Sequence, residues 1–328
     1  MADRTIAHYN LLEPVGRDAL GEIFRARDTR VGRTVALRII EPALVSDETR
    51  RLALLDEARL ASRLSHPNIA TLFDIGESDG VTYFAYEYAA GALMRSEMAG
   101  QPMLPRRAVE IAIQIADALA EGHSAGVVHG DLRPETIGVT SKGSAKVLDF
   151  GLSRWLRGGA TRRAAGRAPD SLPPEDVQIV AYMSPEQAVG GAADGRADLF
   201  SLGILLYEML TGRNPFSGAT VSESVMKIVK HTPVPPSSVA SGGPPELDAV
   251  ALRALSKDLE SRYQSAASFS ADLRGVLALL DDRAHQRPVD YVLPVDDAAD
   301  KVPAAVWLTA AAGIAVVVAL LWWLGVTT

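Results

Sequence analysis

The sequence predicts an α+β protein in which β-strands come first, α-helices follow and an apolar segment ends the chain. Short apolar and β-branched runs separated by turns occupy residues 9–88, which is the pattern of strands. Helical periodicity follows and is clearest in residues 105–122. Residues 302–326 contain no charged side chain. These patterns divide the chain into a strand-rich part, a helical part and an apolar end.

The composition limits the classes of protein to consider. A chain of 328 residues with 48% hydrophobic and 22% charged residues is long enough for a globular domain with an apolar appendage. The formal net charge of -7 argues against a dedicated nucleic-acid binder, so we expect no nucleic-acid partner. Disulfides and thiolate metal sites are excluded because there is no cysteine. Residues 1–10 are polar, which predicts no secretory signal.

The strand-rich part begins with a hairpin whose turn carries two glycines. Gly16 and Gly21 bound the turn, and Asp18 lies between them. Glycine lets backbone amides approach an anion closely, so such a turn can bind phosphates. A carboxylate within the turn opposes that use, and an ordinary hairpin turn, in which aspartate is common, explains the pattern equally well by shape. The residues alone leave both interpretations open.

A buried strand and a helix follow this hairpin. Residues 34–40 form an apolar β-branched run that contains Arg38. Residues 46–64 have helical spacing and begin with Ser-Asp-Glu, which predicts an N-cap with early negative charge. Glu57 lies within this predicted helix. Taken alone, Arg38 could be a surface residue at a strand end and Glu57 an exposed glutamate.

Two further helices are predicted in the second part of the chain. Residues 105–122 begin at a proline and carry isoleucine and leucine on one face. Residues 198–210 are apolar nearly all round, so we expect this helix in the interior. Between them, the polar stretch 153–179 is broken by glycines and alanines and predicts a mobile loop.

Two aspartates on loops are the strongest chemical signal in the sequence. Asp131 and Asp149 each follow an apolar segment. This arrangement suits phosphoryl transfer, in which one carboxylate faces the hydroxyl nucleophile and another holds a metal ion over the phosphates. Each aspartate could instead be a loop residue that caps backbone amides.

The motifs around these aspartates resemble those of protein kinases. Residues 129–136 read HGDLRPET, residues 149–151 read DFG, and residues 65–69 and 182–187 read SHPNI and YMSPEQ. The resemblance is to bacterial eukaryotic-like serine/threonine protein kinases, and it covers about residues 9–280. It implies the two-lobed α+β protein kinase fold.

The resemblance also implies a division of the chain and a set of site residues. The small β-rich N-lobe would span residues 9–88 and the large helical C-lobe residues 89–280. ATP and Mg²⁺ are the implied cofactors, and cytoplasmic proteins the implied substrates or partners. The implied site consists of Asp131 as the catalytic base with Arg133 beside it, Asp149 and Thr136 as metal ligands, Gly16 and Gly21 in the phosphate loop, Arg38 with its helix partner Glu57, and the adenine-contacting hinge at Glu87 and Tyr88.

Several positions depart from the pattern of the family it resembles. Asp18 replaces the middle glycine, Arg38 the strand lysine, Gly130 an arginine, Thr136 a metal-binding asparagine and Ile179 a threonine. Arginine is longer, planar and forked, so it is not a neutral replacement for lysine. A fork between Arg38 and Glu57 is expected, and Tyr86 would stand as a bulky gatekeeper.

These changes favour a pseudokinase or a very weak kinase that acts in signalling through binding. The alternative is a divergent active kinase that transfers the ATP γ-phosphate to protein serine or threonine.

The end of the chain predicts a membrane anchor. Residues 281–301 form an acidic, proline-containing linker, and residues 302–326 are long enough to span a bilayer, which takes roughly 20 apolar residues. Tryptophans lie near both ends of the apolar run, as in interfacial belts. We therefore expect a single-pass tail anchor in the cell membrane, in contact with lipid, with the kinase-like domain in the cytoplasm. A buried terminal helix is the alternative.

Overall fold

The computed structural model describes residues 4–152, 155, 174–240 and 243–286. The chain divides into two compact units, Met1–Asp281 and Asp282–Thr328. The strands and helices described below belong to the first unit, except for residues 282–286 at the end of the last helix.

Six strands form one antiparallel sheet in the described part of the chain. They are β1 (Thr5–Ile6), β2 (Tyr9–Arg17), β3 (Gly21–Asp28), β4 (Thr34–Ile40), β5 (Leu72–Ser78) and β6 (Val81–Glu87). Their order is β1-β2-β3-β4-β6-β5. The central strand β4 is buried from both sides, because Val35 and Leu37 pack into one apolar cluster and Ile40 into another. The alternation of side chains along a strand explains this division.

Two helices accompany this sheet, α1 (Pro42–Val45) and α2 (Glu48–Ala61). The side chain of Asp47 accepts a hydrogen bond from Arg50 N and so caps α2, as its sequence predicted. Leu54, Leu55 and Ala58 of α2 are buried in the cluster that contains Ile40. Helix α2 is therefore fixed against the same face of β4 that Arg38 shares.

The remaining described elements are mostly helical. They are β7 (Gly91–Leu93), α3 (Met94–Met98), α4 (Pro105–Ser124), a 3₁₀ turn (Pro134–Thr136), β8 (Ile137–Thr140), β9 (Ala145–Val147), α5 (Pro174–Val180), α6 (Pro185–Ala188), α7 (Gly195–Thr211), α8 (Val221–Lys230), α9 (Pro236–Val239), α10 (Glu246–Ala254) and α11 (Ala266–Gln286). Every residue of α7 from Ala197 to Thr211 is buried, so the prediction of an interior helix is confirmed.

Two sequence predictions remain to be compared with the structure, the loop at residues 153–179 and the membrane anchor at residues 302–326. Helix α5 occupies the end of the stretch 153–179, so the prediction of a continuous loop was wrong there. The rest of that stretch lies outside the described residues, apart from Trp155. No helix within the described ranges is long and apolar enough to cross a membrane. The predicted anchor, residues 302–326, lies outside them.

Lys257 is a partly buried amine packed on aromatic rings. Its Nζ atom lies 3.8 Å from the ring centroid of Phe216 and 4.8 Å from that of Phe200. Within the described part of the chain, Nζ has no hydrogen-bond partner. Burial, together with repulsion from Arg262, lowers the pKa of Lys257 to about 7. The folded state therefore binds this proton more weakly than the unfolded chain does.

We expect Lys257→Met to raise the free energy of unfolding near pH 7 by about 1 kcal/mol, because it removes an unpaired buried polar group. The cost of burying this charge is fully present below the folded pKa of about 7 and disappears as pH rises towards the ordinary value of 10.5. The gain should therefore shrink over this pH range in urea unfolding. Lys142→Met, at an exposed turn, serves as the control, and a gain independent of pH would contradict the account.

Candidate active site

A cleft lined by the first hairpin, the sheet, the loop before β8 and the loop after β9 holds most of the predicted site residues. Its volume is about 440 Å³, which is within the range of small-molecule sites. The predicted site residues that line it are Gly16, Arg38, Glu87, Tyr88, Arg133, Thr136 and Asp149, joined by Asp18 and Tyr86. The structure thus brings together residues that lie far apart in the sequence.

Arg38 is the central charge of this cleft. Its side chain is only 3% exposed. Its Nη1 atom donates to Asp149 Oδ1 at 2.6 Å, and Nη2 donates to Asp149 Oδ2 at 3.0 Å and to Asp18 Oδ2 at 2.7 Å. The guanidinium therefore holds both oxygens of Asp149 in a fork and bridges that carboxylate to Asp18. Such bidentate, charge-assisted pairs are among the stronger polar contacts in proteins.

The two carboxylates of this bridge differ in their ionisation. Burial raises the pKa of Asp149, but attraction and hydrogen bonding from Arg38 outweigh that effect, so its pKa lies below the usual range. Burial raises the pKa of Asp18, and repulsion from the nearby Asp149 carboxylate raises it further. Attraction from Arg38 lowers this pKa but does not cancel the increase. Asp149 is thus the firmly ionised partner, since both of its oxygens face the guanidinium.

The turn from Gly16 to Gly21 is shaped by Asp18. One oxygen of Asp18 accepts hydrogen bonds from Leu20 N at 2.8 Å and Gly21 N at 3.2 Å. Gly21 has a φ of 146°, and a Cβ there would lie 1.8 Å from the carbonyl oxygen of Ile39. Gly21 is required by this contact with β4. Asp18 therefore caps the turn with one oxygen, and its other oxygen binds Arg38.

The loop that carries Asp131 is fixed by the buried carboxylate of Asp198. This carboxylate accepts from His129 N at 2.9 Å and from Gly130 N at 2.6 Å. Asp131 is 7% exposed, and its Oδ2 accepts from Arg133 Nε at 3.2 Å. The two residues that the resemblance assigns to catalysis, Asp131 and Arg133, therefore pair with each other.

The predicted second metal ligand, Thr136, has its hydroxyl in backbone contacts. Its Oγ1 lies 3.1 Å from the carbonyl of Asp131 and 3.0 Å from that of Arg133, and it accepts from Arg133 N at 3.1 Å. The described residues contain no group of three or more acidic or histidine side chains that could hold a metal ion. With Asp149 paired to Arg38 and Thr136 paired to the loop, these side chains as arranged do not fit Mg²⁺.

Glu57 interacts differently from the expectation. Trp155 Nε1 donates to Glu57 Oε2 at 2.6 Å. Among the described residues, Arg38 forms its ion pairs with Asp18 and Asp149, so the predicted fork between Arg38 and Glu57 was wrong. The physical reason is that two carboxylates already take both terminal nitrogens of Arg38. No sequence pattern pointed to Trp155, because it acts on Glu57 across 98 residues.

At the hinge, the side chains of the predicted adenine-contacting residues face neighbouring charges. Glu87 Oε1 lies 2.6 Å from Lys146 Nζ, and the ring of Tyr88 lies 6.0 Å from the Arg25 guanidinium carbon. Tyr86 is buried, and its ring centroid lies 5.5 Å from Arg38 Cζ. Burial raises the pKa of Tyr86 well above its ordinary value, so this hydroxyl stays protonated.

A second ionic network is centred on Arg95, beside the loop that carries Asp131. The sequence analysis did not predict it. Arg95 donates to Glu135 at 2.8 Å, to Glu208 at 3.0 Å and to the Tyr182 hydroxyl at 2.8 Å. These four residues come from four separate segments of the chain, so their spacing carries no signal in the sequence.

We expect Arg38→Met to lower the free energy of unfolding by about 3 kcal/mol, because it leaves two carboxylates unpaired in a buried site. The control is Arg17→Met, which removes an arginine that also lines the cleft but is 63% exposed. That loss should stay below about 1 kcal/mol. Chemical denaturation measures both values, and equal effects would contradict a structural role for the bridge.

Comparison with known proteins agrees with this architecture. The sequence profile of the protein kinase domain matches residues 9–272. The chain is 36% identical over 270 residues to serine/threonine-protein kinase PknB of Mycobacterium tuberculosis, which covers 81% of this chain and 42% of that protein. It is 36% identical over 274 residues to the probable serine/threonine-protein kinase SCO3848 of Streptomyces coelicolor, covering 82% and 40%. The chain thus spans about two fifths of the length of these curated relatives.

Solved structures give the same result for the fold. The Mycobacterium tuberculosis PknI kinase domain, in a form with one substitution, superposes with a TM-score of 0.62 at 25% identity, covering 85% of this chain and 98% of that one. A double mutant of the same domain gives 0.63 at 26% identity, covering 85% and 99%. The two-lobed kinase fold predicted from the motifs is confirmed. The chain belongs to the protein kinase family, among its bacterial eukaryotic-like serine/threonine members.

Proposed function

We propose that this chain is a membrane-anchored serine/threonine protein kinase homologue with a degraded ATP and Mg²⁺ site, which acts in signalling through binding. It is a pseudokinase or a very weak kinase. The single observation that supports this most is the bridge from Arg38 to Asp149 and Asp18.

The bridge competes directly with a metal ion. Phosphoryl transfer in kinases requires the aspartate at the position of Asp149 to hold Mg²⁺ over the phosphates. Here both oxygens of that carboxylate accept from one guanidinium. Releasing Asp149 would leave Arg38, a buried charge, to find another partner, which costs several kcal/mol.

The charges of the hairpin also oppose a nucleotide's phosphates. Backbone amides of the family's glycine-rich loop cover the phosphates. In this chain the amides of Leu20 and Gly21 donate to the Asp18 carboxylate. A phosphate at that place would meet a negative charge and amides that already have an acceptor.

The alternative is a divergent active kinase, and one observation favours it. Asp131 stands on a loop held by Asp198, and Arg133 lies beside it. In such an enzyme Asp131 is the base, and Arg38 and Arg133 contact the phosphates after Arg38 leaves Asp149. ATP and Mg²⁺ are then its cofactors and cytoplasmic proteins its substrates.

A transfer assay separates the two proposals. The full chain is incubated with labelled ATP, Mg²⁺ or Mn²⁺ and a generic basic protein, with Asp149→Ala as the control. We expect incorporation no higher than in the control, because the metal ligand is already paired. Transfer clearly above the control rejects the pseudokinase proposal.

A rescue variant tests which groups are the obstacle. Arg38→Lys combined with Thr136→Asn and Ile179→Thr restores three positions to the family pattern. Because groups in one site act as a unit, the triple variant should gain measurable transfer while Arg38→Lys alone should not. The triple variant with Asp149→Ala is its control. A triple variant as inactive as the wild type would place the obstacle elsewhere.

The proposed anchor is supported by the uncharged run 302–326 alone. A charged residue at the centre of a membrane helix costs about 2.5–3.5 kcal/mol, so Val317→Arg should lower the fraction of the chain that floats with lipid vesicles. Val317→Leu keeps the run apolar and serves as the matched control. Equal flotation of the two variants, or no flotation of the wild type, rejects the anchor.

A further inference from the structure

Five charged side chains form a continuous row that begins at the loop carrying Asp131. The row runs in the order Asp131, Arg133, Glu135, Arg95 and Glu208, and its charges alternate in sign. Arg133 donates from Nε to Asp131 at 3.2 Å and from Nη1 to Glu135 at 2.9 Å. Arg95 donates from Nε to Glu135 at 2.8 Å and from Nη1 to Glu208 at 3.0 Å. Each of the three inner members therefore has an oppositely charged partner on both sides.

Glu208 fixes the far end of this row. It lies on the interior helix α7 and is 5% exposed. Its carboxylate pairs with Arg95 and accepts a hydrogen bond from the Tyr182 hydroxyl. Removing one partner of a buried ion pair is costly, so Glu208 holds the guanidinium of Arg95 in place. The backbone of Arg95 is fixed as well, because Met94 and Met98 of α3 are buried in the core of the helical part.

Glu135 is shared between the two arginines. Its Oε1 atom accepts from Arg95 and its Oε2 atom from Arg133. Burial raises the pKa of Glu135, but hydrogen bonding and attraction from Arg95, together with attraction from Arg133, outweigh that effect and bring the pKa below its ordinary value. Glu135 is therefore a full negative charge at neutral pH, and Arg95 offsets part of that charge.

Asp131 and Glu135 compete for the guanidinium of Arg133. The contact with Glu135, at 2.9 Å, is shorter than the contact with Asp131, at 3.2 Å, and shorter charge-assisted hydrogen bonds are the stronger ones. The attraction of Arg133 to Glu135 grows when less of the Glu135 charge is offset by another cation. Without Arg95, Arg133 would therefore be drawn towards Glu135 and away from Asp131.

We propose that Arg95 is a positioning residue for the loop that carries Asp131, because it binds Glu135 and thereby leaves Arg133 on Asp131. Arg95 is 37% exposed, compared with 16% for Arg133, so it is the guanidinium of the row that another molecule reaches more readily. The inference goes beyond the proposed function, since the pairing of Asp131 with Arg133 does not depend on whether phosphate is transferred.

A double-mutant cycle measures the contact between Arg133 and Asp131. The full chain is unfolded with urea in mild detergent as the wild type, as Asp131→Asn, as Arg133→Met and with both changes together. A hydrogen bond to a charged group changes the equilibrium constant of unfolding by about tenfold, and we expect a coupling of that size. The same cycle in an Arg95→Met chain should give about twofold or less, as for independent sites.

Two further variants separate positioning from a general loss of stability. Because Arg95→Met leaves Glu208 as a buried, unpaired charge, both cycles are repeated in a Glu208→Gln chain. Adding Glu135→Gln to Arg95→Met removes the competing carboxylate and should restore the coupling to about tenfold. Arg95→Lys keeps a positive charge opposite Glu135 and should retain most of the coupling.

The matched control is Arg106→Met. Arg106 also pairs with two carboxylates, those of Glu110 and Asp281, and its loss should leave the coupling unchanged. The proposal is overturned if the wild type shows no coupling, if Arg95→Met and Arg106→Met give the same coupling, or if Glu135→Gln does not restore it. Each of these results leaves the proposed function standing, whereas phosphate transfer in the assay described above rejects the proposed function and not this inference.

Discussion

The buried guanidinium of Arg38 joins two carboxylates from different parts of the chain, and the cleft depends on this interaction. Asp18 comes from the first hairpin and Asp149 from the loop after β9, so one side chain ties the sheet to the loops of the helical part. A buried charge persists only when it is paired. The ionic bridge therefore stabilises the cleft and at the same time occupies the carboxylate that the family resemblance assigns to a metal ion.

In the loop that carries Asp131, polar side chains are likewise paired within the protein. Asp131 accepts from Arg133, and the Thr136 hydroxyl pairs with the backbone of its own loop. Trp155 donates to Glu57, which the sequence had assigned to Arg38. Asp131, Thr136 and Glu57 thus each have a partner within the protein. Around them, the Asp198 carboxylate holds the loop, and Arg262 pairs with Glu186 at 2.9 Å.

Most of the fold could be predicted from local pattern. The strand run 34–40 and the interior helix around residues 198–210 appear as expected, because burial on both faces or all round leaves a continuous apolar run. The helix at Pro174–Val180 was not foreseen, since its short sequence has no long periodic stretch. The site was predicted as a set of residues, and nine of them, including Asp18 and Tyr86, line one cleft. Their pairings were not predicted.

The sequence by itself determined the family, the order of the elements and the identity of the altered site residues, because these depend on residue type and spacing. Tertiary structure decided which charge pairs with which. Residue type alone allows Arg38 to form an ion pair with either Glu57 or Asp149. The positions of the hairpin, α2 and the loop after β9 determine that its partners are Asp149 and Asp18. The reason is that an ion pair depends on distance and burial, and both are set by elements up to 111 residues apart.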